Sequence, residues 1–255
     1  MSESKFCIFG RKPVIEALRA GKRFDKILLL KNIVSDEIKE IQTLARQVET
    51  PIQNVPREKI ESIVKKYAKY HEANHQGVVG FLSMIEYHTI DDVLHQVYAR
   101  GETPLLVVLD GITDVGNFGA IARSAECLGA HALIVPAQGS AQINAEAMKA
   151  SAGALNNILV CREKSLIIAL KFLRANGIRI FGSEMEKGNV LSSVDFSVPC
   201  AIVLGSEGSG ISKDILKLCD ETIGIPMKGA TQSLNVSVAA GIIMYEINKT
   251  RSVHG

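Results

Sequence analysis

From residue 105 onward the sequence delivers one apolar run after another, "LLVVLD", "HALIVP", "NILVC", "IRIFG", "CAIVLG" and "ETIGIP", with helical patterning between them. Strands that lack the apolar/polar alternation of a half-solvated sheet must be covered on both faces. Helices between such strands predict a parallel sheet wrapped on both sides, an α/β fold. The ligand site of such a sheet lies beyond the carboxyl ends of its strands. Three loops expected there are unusually loaded: "DGITDVGNFGAIARS", "GSEGSGIS" and "IPMKGATQSLNVS".

Residues 6 to 84 alternate shorter apolar runs with helical patterns, from "CIFG" to "GVVGFLS", and read as a small α/β sandwich. Ser35 or Asp36 can cap its second helix, and Pro56 stands where a third would begin. The stretch from Met84 to Pro104 reads as a linker carrying one short helix. The expected organisation is therefore a domain over 1–84, a linker over 85–103 and a second domain over 104–255. A chain of 255 residues is long enough for two such cores, and 47% hydrophobic with 22% charged residues excludes a disordered or fibrous protein.

The N-terminal "MSESKFCIFG" has no basic region followed by an apolar run, and no apolar segment approaches the length of about 20 residues that spans a bilayer. A soluble, unexported, cytoplasmic protein with no membrane partner is expected. The five cysteines, Cys7, Cys127, Cys161, Cys200 and Cys219, never form CxxC, which fits reduced, buried, inert thiols. Residues 1 to 85 hold 15 Lys/Arg against 10 Asp/Glu, whereas residues 86 to 255 hold 14 against 17. A basic first part hints at a nucleic-acid contact there.

In "IVLGSEGSGIS" a strand runs into a loop with Gly205, Gly208 and Gly210. Such loops usually hold anions, but a P-loop needs GxxxxGK[ST], no lysine follows here, and Glu207 sits in the middle. That carboxylate repels a polyphosphate and tolerates a cationic or neutral one-carbon donor. The "HEANH" of His71 to His75 matches a zinc-protease motif, yet Gly77 ends any helix at its second histidine, so no metal is expected. A dinucleotide enzyme is disfavoured because "LLVVLD" is not followed by GxGxxG.

Asn117 stands at a helix start, where capping is its ordinary duty. Arg123 lies among Ile121, Ala122, Ala125 and Cys127, so it either pairs with a carboxylate while part-buried or emerges near a ligand or interface. The last loop leads into a helix that is apolar around most of its circumference and must be buried, in a core or at a subunit interface. Ser233, Asn235 and Ser237 beside its start suggest a solvent-shielded pocket, and Gly241 permits close approach of another backbone.

These three segments, in this order, resemble the three motifs of the SpoU (TrmH-like) RNA 2′-O-ribose methyltransferases, and "IFGRKPVIEAL" is similar to the L30e-like ribosomal-protein substrate-binding domain of that family. The nearest likeness is to the 23S ribosomal RNA guanosine-2′-O-methyltransferase branch. The resemblance implies a SPOUT-type catalytic domain with a C-terminal trefoil knot, a homodimer, S-adenosyl-L-methionine as donor and an RNA substrate. It implies transfer of a methyl group to a ribose 2′-OH, of a guanosine in 23S ribosomal RNA. A transfer-RNA methyltransferase and an inactive RNA-binding or ribosome-assembly protein on the same fold are the alternatives. By the same resemblance Gly205, Ile225 and Leu234 would hold the donor, while Asn117, Arg123, Glu207, Asn235 and, more weakly, Ser233 would serve catalysis or RNA positioning.

Overall fold

The computed structural model describes residues 6–67, 74–184, 188–229 and 233–254. The chain divides into two compact units, Met1–Glu86 with Ile143–Ala145, and Tyr87–Gln142 with Glu146–Gly255.

In the first unit the order is β1 (Cys7–Phe9), α1 (Arg11–Arg19), β2 (Phe24–Leu30), α2 (Asp36–Gln47), β3 (Ile52–Val55), α3 (Arg57–Tyr67) and β4 (Val78–Leu82). The four strands lie in the order β1-β4-β2-β3, with β2 parallel to β3 and β4 antiparallel to both its neighbours. The side-chain period of two along β2 sends Ile27 and Leu29 to the face covered by α1 and α2, and Leu28 to the face covered by Ile60 and Val64 of α3. Ser35 is the cap of α2, its Oγ accepting the Ile38 N–H at 3.2 Å. Gly80 lies against the buried ring of Phe24, where a Cβ would come within 2.4 Å of a ring carbon.

The second unit runs β5 (Tyr87–His88), α4 (Ile90–Ala99), β6 (Leu105–Asp110), α5 (Val115–Cys127), β7 (Ala132–Pro136), α6 (Ala145–Ala150), β8 (Leu159–Glu163), α7 (Leu166–Ala175), β9 (Arg179–Ser183), β10 (Asn189–Val190), β11 (Cys200–Gly205), α8 (Lys213–Leu216), β12 (Glu221–Gly224) and α9 (Val236–His254). Its eight strands lie in the order β10-β12-β9-β11-β6-β7-β8-β5, and every ladder is parallel. The apolar runs are its central strands: Leu105 to Leu109 and Cys200 to Leu204 are all buried, as double coverage requires.

Two expectations are corrected. The presumed linker over 85–103 belongs to the larger unit: β5 pairs with β8, and Ile90, Val93, Leu94 and Val97 of α4 enter its core. The helical patterning expected between β7 and β8 is broken: α6 stops after Ala150, because Ala152 and Gly153 take positive φ (49° and 89°), and the chain resumes only as a 3-10 turn at Ala154–Asn156.

At the amino ends of the strands the sheet is sealed by a single side chain from α9. The Arg251 guanidinium donates to the carbonyl oxygens of Thr103 (2.7 Å), Pro104 (2.9 Å), Phe196 (3.0 Å) and Val198 (2.9 Å), just before β6 and β11 begin. Beside it, the Leu105 N–H donates to Nδ1 of His131 at 2.9 Å, and burial holds that imidazole below its ordinary pKa of 6.5.

Of the cysteines, Cys161 and Cys200 are buried and Cys7 and Cys219 half-buried, but Cys127 is exposed, against the expectation of burial. Burial pushes the Cys161 thiol up to about 12 and those of Cys200 and Cys219 to about 11. No helix of the described residues is long and apolar enough to cross a membrane. Most of "HEANH" lies outside the described residues; His75, within them, accepts the Gly77 N–H on Nδ1 at 3.0 Å and so shapes a turn.

Candidate active site

At the opposite, carboxyl ends of the strands, β11 runs into a loop that only glycine permits at its first position. A Cβ on Gly205 would lie 2.1 Å from the Gly210 carbonyl carbon and 2.2 Å from the Ile211 nitrogen. The loop folds back on itself: Ser206 and Gly210 exchange backbone hydrogen bonds at 3.1 and 3.0 Å, while Gly208 and Gly210 take φ of 93° and 65°. Asp110, at the end of β6, ties down the far side of the loop by accepting the Ser212 N–H at 2.7 Å. The turn thereby presents Glu207 at its tip.

Glu207 is met by two amides from distant parts of the chain. Asn117 donates from Nδ2 to Glu207 Oε1 at 3.0 Å, and Asn235 donates from Nδ2 to the same oxygen at 2.6 Å. Asn235 Nδ2 also donates to Asn117 Oδ1 at 2.9 Å, which closes the triangle. Each of the three loaded loops thus supplies one corner. Asn117 is not the helix cap: Asp114 is, its Oδ1 accepting the Asn117 N–H at 2.7 Å. Capping by Asp114 frees the asparagine side chain for Glu207.

Behind Glu207 lies a cavity of about 700 Å³, whose wall includes Gly205, Glu207, Ser233, Leu234 and Asn235. Glu184 at the end of β9 also reaches it, and no lysine or arginine contributes to its described wall. Two carboxylates without a cation favour a ligand carrying positive charge and disfavour a polyphosphate. With the Gly205 cradle, this donor set fits S-adenosylmethionine.

The remaining expected residues fall differently. Ile225, just past β12, does not contribute to the described cavity wall. The Arg123 side chain stands exposed on α5 and makes no hydrogen bond or ion pair among the described residues, so no part-buried salt bridge holds it among them. Ser233, Asn235 and Glu207 are exposed in the single chain, so the polar cluster is open to solvent and not shielded. The apolar α9 is buried on one side through Ala240, Ile243, Met244 and Ile247, while Val238, Ile242 and Tyr245 stay exposed. Gly241 is not a point of tight approach, since a Cβ there would meet Ser124 Oγ at an ordinary 3.7 Å. The tight position is Gly119 of α5, where a Cβ would lie 2.5 Å from that of Ala150.

Two residues at the site escaped sequence reasoning. Asp110 reads in the sequence as the end of the apolar run "LLVVLD", and Asp114 in "TDVGN" is a good cap three residues ahead of Asn117.

Residues 104–245 match the sequence profile of the SpoU rRNA Methylase family, and residues 7–88 match the profile described as RNA 2′-O ribose methyltransferase substrate binding. A Bacillus subtilis (strain 168) protein assigned by name to the TrmH family of tRNA/rRNA methyltransferases, YacO, is 32% identical over 255 residues, covering 100% of both chains. An uncharacterized tRNA/rRNA methyltransferase of Mycobacterium ulcerans (strain Agy99) is 36% identical over 96% of this chain and 77% of its own length. Among solved structures, the SpoU methyltransferase AviRb from Streptomyces viridochromogenes in complex with AdoMet superposes with a TM-score of 0.59 at 28% identity, covering 98% of this chain and 91% of that one. The A. aeolicus TrmH/SpoU tRNA modifying enzyme gives a TM-score of 0.56 at 28% identity over 64% of this chain and 86% of its own.

Proposed function

Because the chain belongs to the SpoU rRNA methylase family, an S-adenosylmethionine-dependent family of RNA 2′-O-methyltransferases, we propose that it methylates the ribose 2′-OH of a guanosine in 23S ribosomal RNA. The observation that carries the reading is the triangle of Asn117, Glu207 and Asn235 on the rim of a cation-favouring cavity. Bound S-adenosylmethionine supplies an electrophilic methyl group on a positively charged sulfur. Gly205 and Leu234 hold the donor from the cavity wall, with Ile225 adding contact from just beyond β12.

A ribose hydroxyl is a poor nucleophile at neutral pH and has to be oriented and relieved of its proton. Arg123, exposed and with its donors uncommitted among the described residues, grips the target phosphate and polarises the 2′-OH. A guanidinium keeps its proton in proteins and so does not serve as a simple base. Asn117 and Asn235 hold the Glu207 carboxylate in one orientation, and Ser233 adds a hydroxyl beside the donor.

The wider reading includes a homodimer through α9, supported by its exposed Val238, Ile242 and Tyr245. It includes a C-terminal trefoil knot, supported by the return of the chain from β12, near the sheet edge, to pack α9 against α5 and β11. It also includes a cytoplasmic location and an L30e-like first domain over 1–84 that recognises RNA through its basic excess, supported by the profile match over residues 7–88.

Mapping ribose methylation in RNA from cells with and without the gene tests the substrate. Loss at one 23S ribosomal guanosine is the expected result. Loss in transfer RNA instead would assign the second substrate class, which the relatives' names couple to the first. Intact methylation everywhere would leave an inactive RNA-binding protein.

A further inference from the structure

Asn235 acts in two directions at once. Its Nδ2 serves the site, while its Oδ1 accepts both the backbone N–H of Ser237 at 2.9 Å and the Ser237 hydroxyl at 2.5 Å. The backbone bond alone is an ordinary helix cap at the start of α9. The hydroxyl bond is extra, and it fills the second acceptor position of Oδ1.

That matters because a carboxamide has nearly the same shape after a half-turn about its last bond, so only hydrogen-bond partners decide which end is oxygen. A turned Asn235 would set Oδ1 against Glu207 Oε1, acceptor against acceptor, and would strip Asn117 Oδ1 of its donor. The order of donors runs one way, from Ser237 to Asn235 to Asn117 to Glu207. Each amide takes its orientation from the member before it; for Asn235 the Ser237 backbone N–H, which only donates, sets that orientation, and the Ser237 hydroxyl adds a second bond that holds it. Ser237 is the first, half-buried in a helix anchored by Val236, Ala239 and Ala240.

We propose that Ser237 is a positioning residue for methyl transfer, whose hydroxyl steadies the Asn235 amide in the orientation set by the backbone N–H, and through it the Asn117–Glu207 contact. This rests on the reading of that triangle as the reaction site. Ser237 does not contribute to the described cavity wall, so its effect falls on turnover and not on donor binding.

The test uses the full chain with Ser237→Ala, Ser237→Thr, Asn235→Ala and the Ser237→Ala/Asn235→Ala pair. Alanine is a good helix former, so α9 itself is undisturbed by the first change. With Ser237→Ala, kcat for RNA methylation should drop about fivefold, the scale of one net hydrogen bond, while KM for RNA and Kd for the donor stay within about twofold. Ser237→Thr should restore most of the rate, and Ser237→Ala should add nothing once Asn235 is alanine. Independently of activity, the side-chain NH₂ of Asn235 should exchange its hydrogens with solvent faster in Ser237→Ala when followed by NMR. An unchanged kcat with a lowered melting temperature would reduce the Ser237 hydroxyl to a structural role at the start of α9. A full additional loss in the Asn235→Ala background would overturn the relay equally. If the wild-type chain methylated no RNA, the functional reading would fail instead, and the NMR result would still decide whether Ser237 orders the amide.

Discussion

The two ends of the eight-stranded sheet use their charged side chains in opposite ways, and two helix arginines, Arg251 and Arg123, differ in the same manner. At the amino ends, Arg251 spends its donors on four backbone carbonyls and is partly desolvated, which lowers its pKa. On α5, which leads back from the carboxyl ends, Arg123 is exposed and its side chain has no partner among the described residues. Saturated donors stabilise the chain that holds them; uncommitted donors are available to a ligand. The carboxylates differ in what holds them: Asp220 accepts the Ile180 N–H and meets Arg174 at 2.9 Å, whereas Glu207 is held by two side-chain amides and meets no cation among the described residues. Structure and function occupy opposite edges of one sheet.

The contrast breaks most visibly at Arg251. Arg251→Met should remove about 4 kcal/mol of stability, since several charge-assisted bonds go and their carbonyls are left without partners. Urea unfolding checks this, and donor affinity measured under folding conditions should stay as in wild type. The reverse is expected of Arg123→Ala: stability within about 0.5 kcal/mol of wild type, with single-turnover methylation at saturating donor slower by about a hundredfold. Arg123→Lys should fail as well, because an ammonium does not reproduce a planar fork of donors. Wild-type turnover by either variant would erase the distinction between the two arginines.

Smaller effects sharpen it. Gly208 has open space around its missing side chain but a φ of 93°, so Gly208→Val should strain only the loop and weaken S-adenosylmethionine binding about tenfold by calorimetry. At the other end, His131 gives the gentlest signal. Its folded pKa lies below its ordinary 6.5, so its contribution to stability is complete above that value and is lost as pH falls through the lowered one. Unfolding midpoints of wild type should therefore decline on acidification from pH 6.5 more steeply than those of His131→Asn.

The sheet was legible because its central strands are apolar on both faces, and nothing but helices on both sides can cover Leu105–Leu109 or Cys200–Leu204. The site was legible in its corners: Asn117, Glu207 and Asn235 each stand out as polar groups in otherwise apolar or glycine-rich surroundings. Their meeting was not, because it depends on the strand order β9-β11-β6, which brings residues 90 and 118 positions apart into hydrogen-bonding range. The strand β5 was missed because two residues, one of them histidine, carry no strand period, and its partner β8 lies far along the chain. The solvent access of the cluster was misjudged for a related reason, since a buried α9 start says nothing about what lies over its first turn.

One arrangement fixes the order in which the protein comes into being. The central ladder joins residues 105–110 to residues 200–205, and the seal over its lower edge is made by Arg251. During synthesis, β6 can meet α4 and β7 early, but its ladder to β11 waits for residues 200–205 and its seal for Arg251. Ladders between residues so distant close slowly and expose sticky surface while they wait. The first unit completes its own sheet between residues 7 and 82, so it can stand folded on the nascent chain while the larger unit is still being made. A ribosome that stalls or terminates before Arg251 would release a chain with one finished unit and one apolar sheet left open, a substrate for chaperone or protease and not an enzyme.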